Sequence, residues 1–288
     1  MTARTLPKLI SVGDNCLDVY LTKDVMAVGG NALNVAVQWI RNGWPARYFG
    51  AVGKDSEGDI IVDEIARVGL APDDIERLDG DTAVTLLQER SGDRRFLLED
   101  LGIGKDYMPS ANRYKAMTDA DWVHLGTNSS DQLVKKLVAG GIPFSIDVST
   151  AHFAIPLAGV PLVFAAGPED RNEAIPPITK ALRESGAQKV VLTCGKRGAY
   201  FDDGTAIWHA PAQKINVVDT CGAGDSFIAT FIIAFCCAHK SVDTALREAT
   251  ASAAETCLHQ GGFPQEPGPI PSWLPQKYAK VISSAEDY

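Results

Sequence analysis

The chain of 288 residues is predicted to form an α/β fold, in which a central, mainly parallel β-sheet has helices on both faces and a small β-sheet beside it. Two observations predict this class. Short apolar runs alternate with stretches of helical periodicity along most of the chain, which is typical of parallel strands joined by covering helices. One segment, 82–100, instead has two strand-like runs around "SGD", a β-hairpin signal. The length suits a single domain over residues 1–288.

The elements of the main sheet follow in order along the chain. Apolar runs predict buried strands at 8–13, 46–53, 121–126, 142–147, 161–166 and 189–195. Helical periodicity predicts helices at 31–42, 56–69, 130–139 and before Gly186, the first of which stops at Gly43. The apolar run 227–238 is too short to span a bilayer and predicts a core helix.

The small sheet is predicted from the hairpin at 82–100 together with a strand at 16–22. Such antiparallel strands are either an edge hairpin or a lid that projects over a binding site. We favour a lid, formed by about 14–28 and 80–106. The proline-rich stretch 261–276 is expected to wrap the surface before a short terminal helix.

Composition excludes several classes of partner. The net charge is -9 and the pI is about 5.1, so the chain has no basic field that would hold nucleic acid or an anionic membrane. No C-x-x-C pair is present, and we expect reduced, mostly buried thiols at Cys16, Cys194, Cys221, Cys236, Cys237 and Cys257. The amino-terminal stretch "MTARTLPKLI" lacks the apolar core of a signal peptide, so a cytoplasmic location is expected.

The segment "VVDTCGAGDSF" at 217–227 has the clearest chemical signal. A turn of Gly222, Ala223 and Gly224 precedes an apolar helix, and the free amides and dipole of such a terminus bind anions, above all phosphates. Asp225 follows directly. A carboxylate beside an anion site is explained if it takes the proton of a hydroxyl that attacks a phosphoryl group. The alternative is that Asp225 only caps the helix.

A second glycine-rich segment, "VGGNALNVAV" at 28–37, is a candidate sugar site. Asn31 and Asn34 lie three residues apart, so both amides emerge on one face of a helix and suit the hydroxyls of a polyol. The alternative is a capped helix, with Asn31 as its cap and Asn34 without a special role.

A third segment, "LTCGKRGAYF" at 192–201, lies where a strand leaves the sheet. Thr193, Gly195 and Gly198 form either a nucleotide-binding loop or a tight hairpin. No P-loop, no dinucleotide-binding glycine fingerprint and no G-x-S-x-G elbow is present in the sequence. No metal-binding spacing links the histidines, which are His124, His152, His209, His239 and His259.

Taken together, these segments resemble the ribokinase-like carbohydrate kinases, also called the phosphofructokinase-B family. The resemblance runs from "SVGDNCLDVY" to "AETCLHQGG", with "GGNALNVAV" and "DTCGAGDSF" in the expected order and separation. Within the family, "GDNCLDVY", "GGNALN", "FGAVGKDSEG" and "DTCGAGDSFIATF" are most similar to the kinases of Amadori products, the fructoselysine 6-kinases and related enzymes.

The resemblance implies transfer of the ATP γ-phosphoryl group to a sugar hydroxyl with Mg²⁺, a lid that closes over the sugar, and a homodimer formed through that lid. It implies that Asp225 is the base and that the anion hole is Gly222, Ala223 and Gly224. The implied sugar-binding residues are Asp18, Gly30, Asn31 and Asn34, with Asp14 nearby and Arg94 of the lid reaching the substrate. The implied nucleotide-binding residues are Thr193, Gly195 and Gly198.

One departure from the family pattern concerns Mg²⁺. The family has Asn-x-x-Glu after the strand at 161–166; Glu169 fits the Glu position, but Ala166 occupies the Asn position.

Alternatives to a fructosamine kinase are a fructokinase or ribokinase, and an inactive sugar- or nucleotide-binding regulator, against which the retained Asp225 argues. A Rossmann-like oxidoreductase is disfavoured because the fingerprint is missing.

Overall fold

The computed structural model describes residues 6–90 and 93–286, and the side chains of all of these except 89–94 and 285–286. Its strands are β1 (Leu9–Val12), β2 (Cys16–Tyr20), β3 (Val25–Gly29), β4 (Ala46–Gly53), β5 (Ile75–Leu78), β6 (Val84–Arg90), β7 (Asp93–Asp100), β8 (Trp122–Leu125), β9 (Phe144–Asp147), β10 (Leu162–Ala166), β11 (Val190–Thr193), β12 (Ala199–Asp202), β13 (Ile207–Ala210) and β14 (Gly268–Pro269).

Its α-helices are α1 (Asn31–Arg41), α2 (Ser56–Arg67), α3 (Ala111–Thr118), α4 (Asp131–Ala139), α5 (Pro176–Glu184), α6 (Ala223–Phe231), α7 (Val242–Thr256), α8 (Trp273–Lys277) and α9 (Ala279–Glu286). The predicted core helix at 227–238 begins earlier, at Ala223, and continues past α6 as a π-helical segment, Ile232–Cys237. In the described part of the chain, no helix is long and apolar enough to cross a membrane.

Nine of the described strands form the main sheet, in the order β13-β12-β11-β10-β9-β8-β1-β4-β5. The pairs from β11 across to β5 are parallel, and β12 and β13 add an antiparallel edge. The second sheet has the order β14-β3-β2-β6-β7. The predicted fold class, a mainly parallel sheet with helices and a smaller second sheet, is confirmed.

Alternation of side chains along the strands explains why helices cover both faces. In β10, Leu162 and Phe164 point into a core shared with α1, α6 and α7, whereas Val163 and Ala165 point into the core below α4 and α5. Successive strand residues face opposite sides, so a continuous apolar run is what a strand buried on both faces requires. The apolar run that predicted each parallel strand is therefore also the reason that the strand lies between two layers of helices.

The sequence analysis missed the elements with the weakest apolar patterns. Strand β5 and strand β13 are half exposed, and neither has a continuous apolar run. The proline-rich stretch does more than wrap the surface, because β14 pairs with β3 and enters the second sheet. The tail beyond it is held by Lys277, whose Nζ donates to the buried Glu57 carboxylate at 2.6 Å.

The parallel strands place their carboxyl ends along one edge of the sheet. Asp14 follows β1, Thr127 follows β8, Asp147 ends β9 and Glu169 follows β10. In sheets of this kind, ligands bind outside the carboxyl ends of the strands. The second sheet begins at the same edge, because β2 starts two residues after Asp14.

Candidate active site

Asp225 lies in the first turn of α6, directly after the turn that the sequence singled out. Gly222 is the N-cap residue and has a φ of 72°, a left-handed conformation that costs glycine little. A Cβ at Gly222 would also collide with the backbone of Gly262. The turn thus fixes where α6 begins, and the early amides of α6 have no intrahelical acceptor.

The carboxylate of Asp225 is held by the first turn of α1. The Nδ2 atom of Asn31 donates to Oδ1 of Asp225 at 2.6 Å, and Nδ2 of Asn34 donates to Oδ2 at 2.7 Å. Helix α1 packs on α6, where the indole of Trp39 donates to the carbonyl of Ala229 at 3.0 Å. The two segments with chemical signals therefore meet, and the side chain of Asp225 bonds to α1 rather than capping its own helix.

Asn31 is not the cap of α1, contrary to the alternative interpretation of that segment. The N-cap is Gly30, which makes no side-chain cap bond. The capping carboxylate is Asp14, which accepts from the backbone amides of Asn31 at 2.8 Å and Ala32 at 3.2 Å. Asp14 is thus a negative charge at a helix N-terminus, where the helix dipole stabilises it.

Asp147, at the end of β9, is a member of this cluster that the sequence analysis did not identify. Its Oδ2 accepts from Nδ2 of Asn31 at 2.9 Å, so Asn31 bridges Asp147 and Asp225. Its Oδ1 accepts from the amide of Ser149 at 2.8 Å. The available signal was a carboxylate at the carboxyl end of a predicted parallel strand.

Burial and mutual repulsion set the protonation of these acids. The pKa of Asp225 is raised to about 7, chiefly by burial and also by the negative charges of Asp147 and Asp14, although the bonds from Asn34 and Asn31 lower it. Burial also raises the pKa of Asp147 to about 6. A carboxylate with a pKa near neutrality is suited to general base catalysis, because it is available unprotonated and still takes up a proton.

Asp147→Asn is expected to move the pH profile of kcat/KM towards lower pH. The family resemblance implies that Asp225 is the base, and a base must be unprotonated, so kcat/KM is expected to rise with pH through the Asp225 pKa of about 7. Removing the neighbouring negative charge lowers that pKa. The measurement is kcat/KM from pH 5 to 9 with saturating nucleotide. Asp119→Asn, an exposed acid after α3, is the control; an unmoved profile in Asp147→Asn would contradict the assignment.

A small cavity of about 160 Å³ opens between the second sheet and the main sheet. Its lining includes three of the predicted sugar-binding positions, Asp14, Asp18 and Gly30. Asn31 and Asn34 are not among its lining residues, and their amide groups donate to Asp225. Arg94 lies on β7, but its side chain is outside the described part of the structure. We call this space the inner cavity.

A second cavity of about 320 Å³ lies at the α6 N-terminus. Its lining brings together all three predicted nucleotide-binding residues with two residues of the turn, namely Thr193, Gly195, Gly198, Ala223 and Gly224. Its remaining wall is largely apolar and was not predicted; it includes Ile215, Val217, Phe227, Ala253 and Cys257. The turn before Asp225 thus lines this cavity, and the carboxylate of Asp225 bonds to Asn31, the neighbour in sequence of Gly30 in the inner cavity.

Glu169 lines the same cavity, and its carboxylate fills the space that a Cβ of Gly195 would take. Ala166 offers no side-chain ligand, and its carbonyl instead lies 2.7 Å from Nε2 of His152. No group of three or more His, Cys, Asp or Glu residues is arranged as a metal site in the described residues. The lining does include the Glu169 carboxylate, and Mg²⁺ is usually held by one or two carboxylates together with substrate phosphates and water.

Comparison with known proteins supplies the family. The sequence profile of the pfkB family carbohydrate kinases matches residues 8–139 and 160–267. The chain belongs to this family. Fructosamine kinase FrlD of Bacillus subtilis is 32% identical over 264 residues, which cover 89% of this chain and 93% of that protein. Fructoselysine 6-kinase of Escherichia coli is 30% identical over 260 residues, which cover 88% of this chain and 99% of that protein.

Solved structures confirm the fold. Ribokinase of Arabidopsis thaliana, complexed with ribose and ATP, superposes with a TM-score of 0.81 at 21% identity, and the match covers 96% of this chain and 99% of that one. Membership of the pfkB family gives the enzyme class, an ATP-dependent sugar kinase. The family resemblance inferred from the glycine-rich motifs is therefore confirmed.

Proposed function

We propose that this sugar kinase phosphorylates a fructosamine, a ketose bearing an amine of the Amadori type. The observation that supports this is the extent of likeness to two kinases of such compounds, 30% to 32% identity over nearly nine-tenths of the chain. Ribokinase of Bacillus subtilis is less similar, at 28% identity over 254 residues.

Asp225 is proposed as the general base. Its carboxylate takes the proton of a sugar hydroxyl while that oxygen attacks the γ-phosphorus of ATP. The bond between the γ-phosphorus and the β–γ bridging oxygen breaks, and ADP leaves with that oxygen. Position supports this role, because Asp225 directly follows Gly224, which lines the cavity at Gly195, and bonds to Asn31, which directly follows Gly30 of the inner cavity.

The anion hole of this proposal is the start of α6. The amides that follow Gly222, at Ala223 and Gly224, stabilise negative charge on the transferred phosphoryl group. Mg²⁺, when bound with the nucleotide phosphates, would supply further charge neutralisation, and Glu169 is the carboxylate in place to hold it. Thr193, Gly195 and Gly198 position the nucleotide.

The sugar is proposed to bind in the inner cavity, held by Asp18 and Gly30 with Asn31 and Asn34 beside the reacting hydroxyl. The second sheet is proposed to close over it as a lid, and Arg94 to reach the substrate from that lid. A homodimer through the lid is also proposed. Strand β7 is the outer strand of this sheet, and its Phe96 is 58% exposed, as expected of a surface that another protomer covers.

A coupled assay for ADP release over a panel of acceptors tests the function. We expect kcat/KM for fructosyl-lysine to exceed that for free fructose, ribose and nucleosides by at least roughly tenfold. A site whose polar groups hydrogen-bond to particular groups of the substrate rejects compounds that lack those groups. Activity on ribose or fructose alone would establish a free-sugar kinase instead. No ATP turnover with any acceptor, despite sugar binding, would favour the inactive regulator.

A further inference from the structure

The inner cavity opens into a larger space. A neighbouring cavity of about 410 Å³ shares four lining residues with it, Glu99, Lys105, Thr127 and Asn128. Asp147 also lines this space, which we call the outer cavity, and Asp147 is joined to Asp225 through Asn31. A substrate whose hydroxyl reaches Asp225 therefore has room to extend outwards beyond the sugar.

The outer cavity has one charged wall. Glu99, Lys105 and Asp106 line it and are exposed, with Asp131 on the first turn of α4. Among the side chains that the structure describes, none of these four takes part in an ion pair. Their charges are thus available to a ligand, and the excess of carboxylates favours one with an amine.

The outer cavity also has apolar lining residues, next to Ser149 and Thr150. They belong to the segment after β9 and are Val148, Ala151, Ala154 and Ile155. Val148 belongs to the main core, and Ile155 packs against that core. An alkyl chain lying on these apolar residues is removed from water, which favours its binding. The outer cavity therefore combines contacts for an aliphatic chain with contacts for both signs of charge.

We propose that the outer cavity is the subsite for the amino acid carried by the sugar, and that it takes an amino acid attached through an aliphatic side chain. This rests on the proposed fructosamine kinase function and extends it. Glu99, which lines both cavities, contacts the secondary ammonium next to the sugar. The methylene groups lie on the wall at Ala151, Ala154 and Ile155, and the zwitterionic head contacts Lys105 and Asp106.

Two acceptors and three variants test this assignment. Fructosyl-lysine, linked through the side-chain nitrogen, has the full zwitterion, whereas N-butylfructosamine has the ammonium and the methylene groups alone. Asp106→Asn and Lys105→Gln are expected to raise KM for fructosyl-lysine roughly threefold to tenfold, without raising KM for N-butylfructosamine. Glu99→Gln is expected to raise KM for both acceptors, and kcat and the KM for ATP stay unchanged.

Asp63→Asn, an exposed acid on α2, is the matched control and should change neither KM. Thermal unfolding of each variant checks that the fold is intact. We expect an unchanged Tm, because the substituted side chains are exposed. Equal changes of KM for both acceptors in Asp106→Asn and Lys105→Gln, or no change, would overturn the subsite while leaving the fructosamine kinase function in place. Failure of the wild-type enzyme to use either acceptor would overturn both proposals.

Discussion

Asp225→Asn is expected to lower kcat by roughly 10²- to 10⁴-fold, the usual contribution of a general base. Sugar affinity should change much less, because the side chain keeps its size and its place between Asn31 and Asn34. The new amide brings one donor to face two existing donors. Asn34 relieves this by turning its own amide, since its Oδ1 has no hydrogen-bond partner among the described residues.

The same variant has a predicted effect on stability with the opposite sign. The folded pKa of Asp225, about 7, lies above 3.8, the ordinary value of this side chain in an unfolded chain. The folded state therefore retains a proton that the unfolded state has lost, so this residue's stabilising contribution is complete below about pH 4 and is lost as pH rises through 7. At pH 8 the buried charge destabilises the wild-type fold, and Asp225→Asn is expected to have a Tm at least as high.

These two measurements separate a base from a structural link between α1 and α6. A link is replaced well by asparagine, so turnover would stay near the wild-type value. Asp243→Asn is the matched control, because Asp243 is also an acid in the first turn of a helix, α7, but lies at the surface beside Arg247. It should keep full turnover. Near-normal turnover in a folded Asp225→Asn protein would refute the base assignment.

Local patterns were sufficient for the elements whose burial is uniform. The parallel strands β1, β4, β8, β9, β10 and β11 were predicted because an apolar run is what burial on both faces demands. Strand β13 alternates between exposed and buried residues and pairs only with β12, so its short pattern resembles a loop. Strand β14 is defined by pairing with β3, more than two hundred residues away, and nothing in its own residues indicates it.

The site was predicted only in part for the same reason, because its contacts join residues that are distant in the sequence. The glycine turn identified Asp225, and the spacing of Asn31 and Asn34 identified a shared face, but their direct contact spans 194 residues of sequence. Packing of α1 on α6 creates it, and no local pattern contains that information. Asp147 was missed for this reason: its role follows from sharing Asn31 with Asp225, whereas in the sequence it is only the last residue of a strand.

Gly224→Ala is expected to reduce kcat by roughly 10²-fold in a protein that folds as well as the wild type, comparable to losing one donor of an oxyanion hole. The fold does not require this glycine, because a Cβ at Gly224 would meet no other heavy atom within 4 Å. Alanine is also the better helix former, by about 1 kcal/mol in a helix interior. The Tm should therefore be unchanged or slightly higher.

The loss of activity follows from where the added methyl group would stand. Gly224 lines the cavity assigned to the nucleotide, one residue before Asp225, so the methyl group would occupy space that the transferred phosphoryl group needs near the α6 amides. Gly222→Ala is the contrasting variant. Gly222 has a φ of 72° and a Cβ there would collide with the backbone of Gly262, so the added methyl group should lower the Tm. Measurements of kcat, ATP affinity and Tm for both variants test whether the start of α6 lies at the site of phosphoryl transfer. Full turnover by Gly224→Ala would remove the start of α6 from the site of phosphoryl transfer.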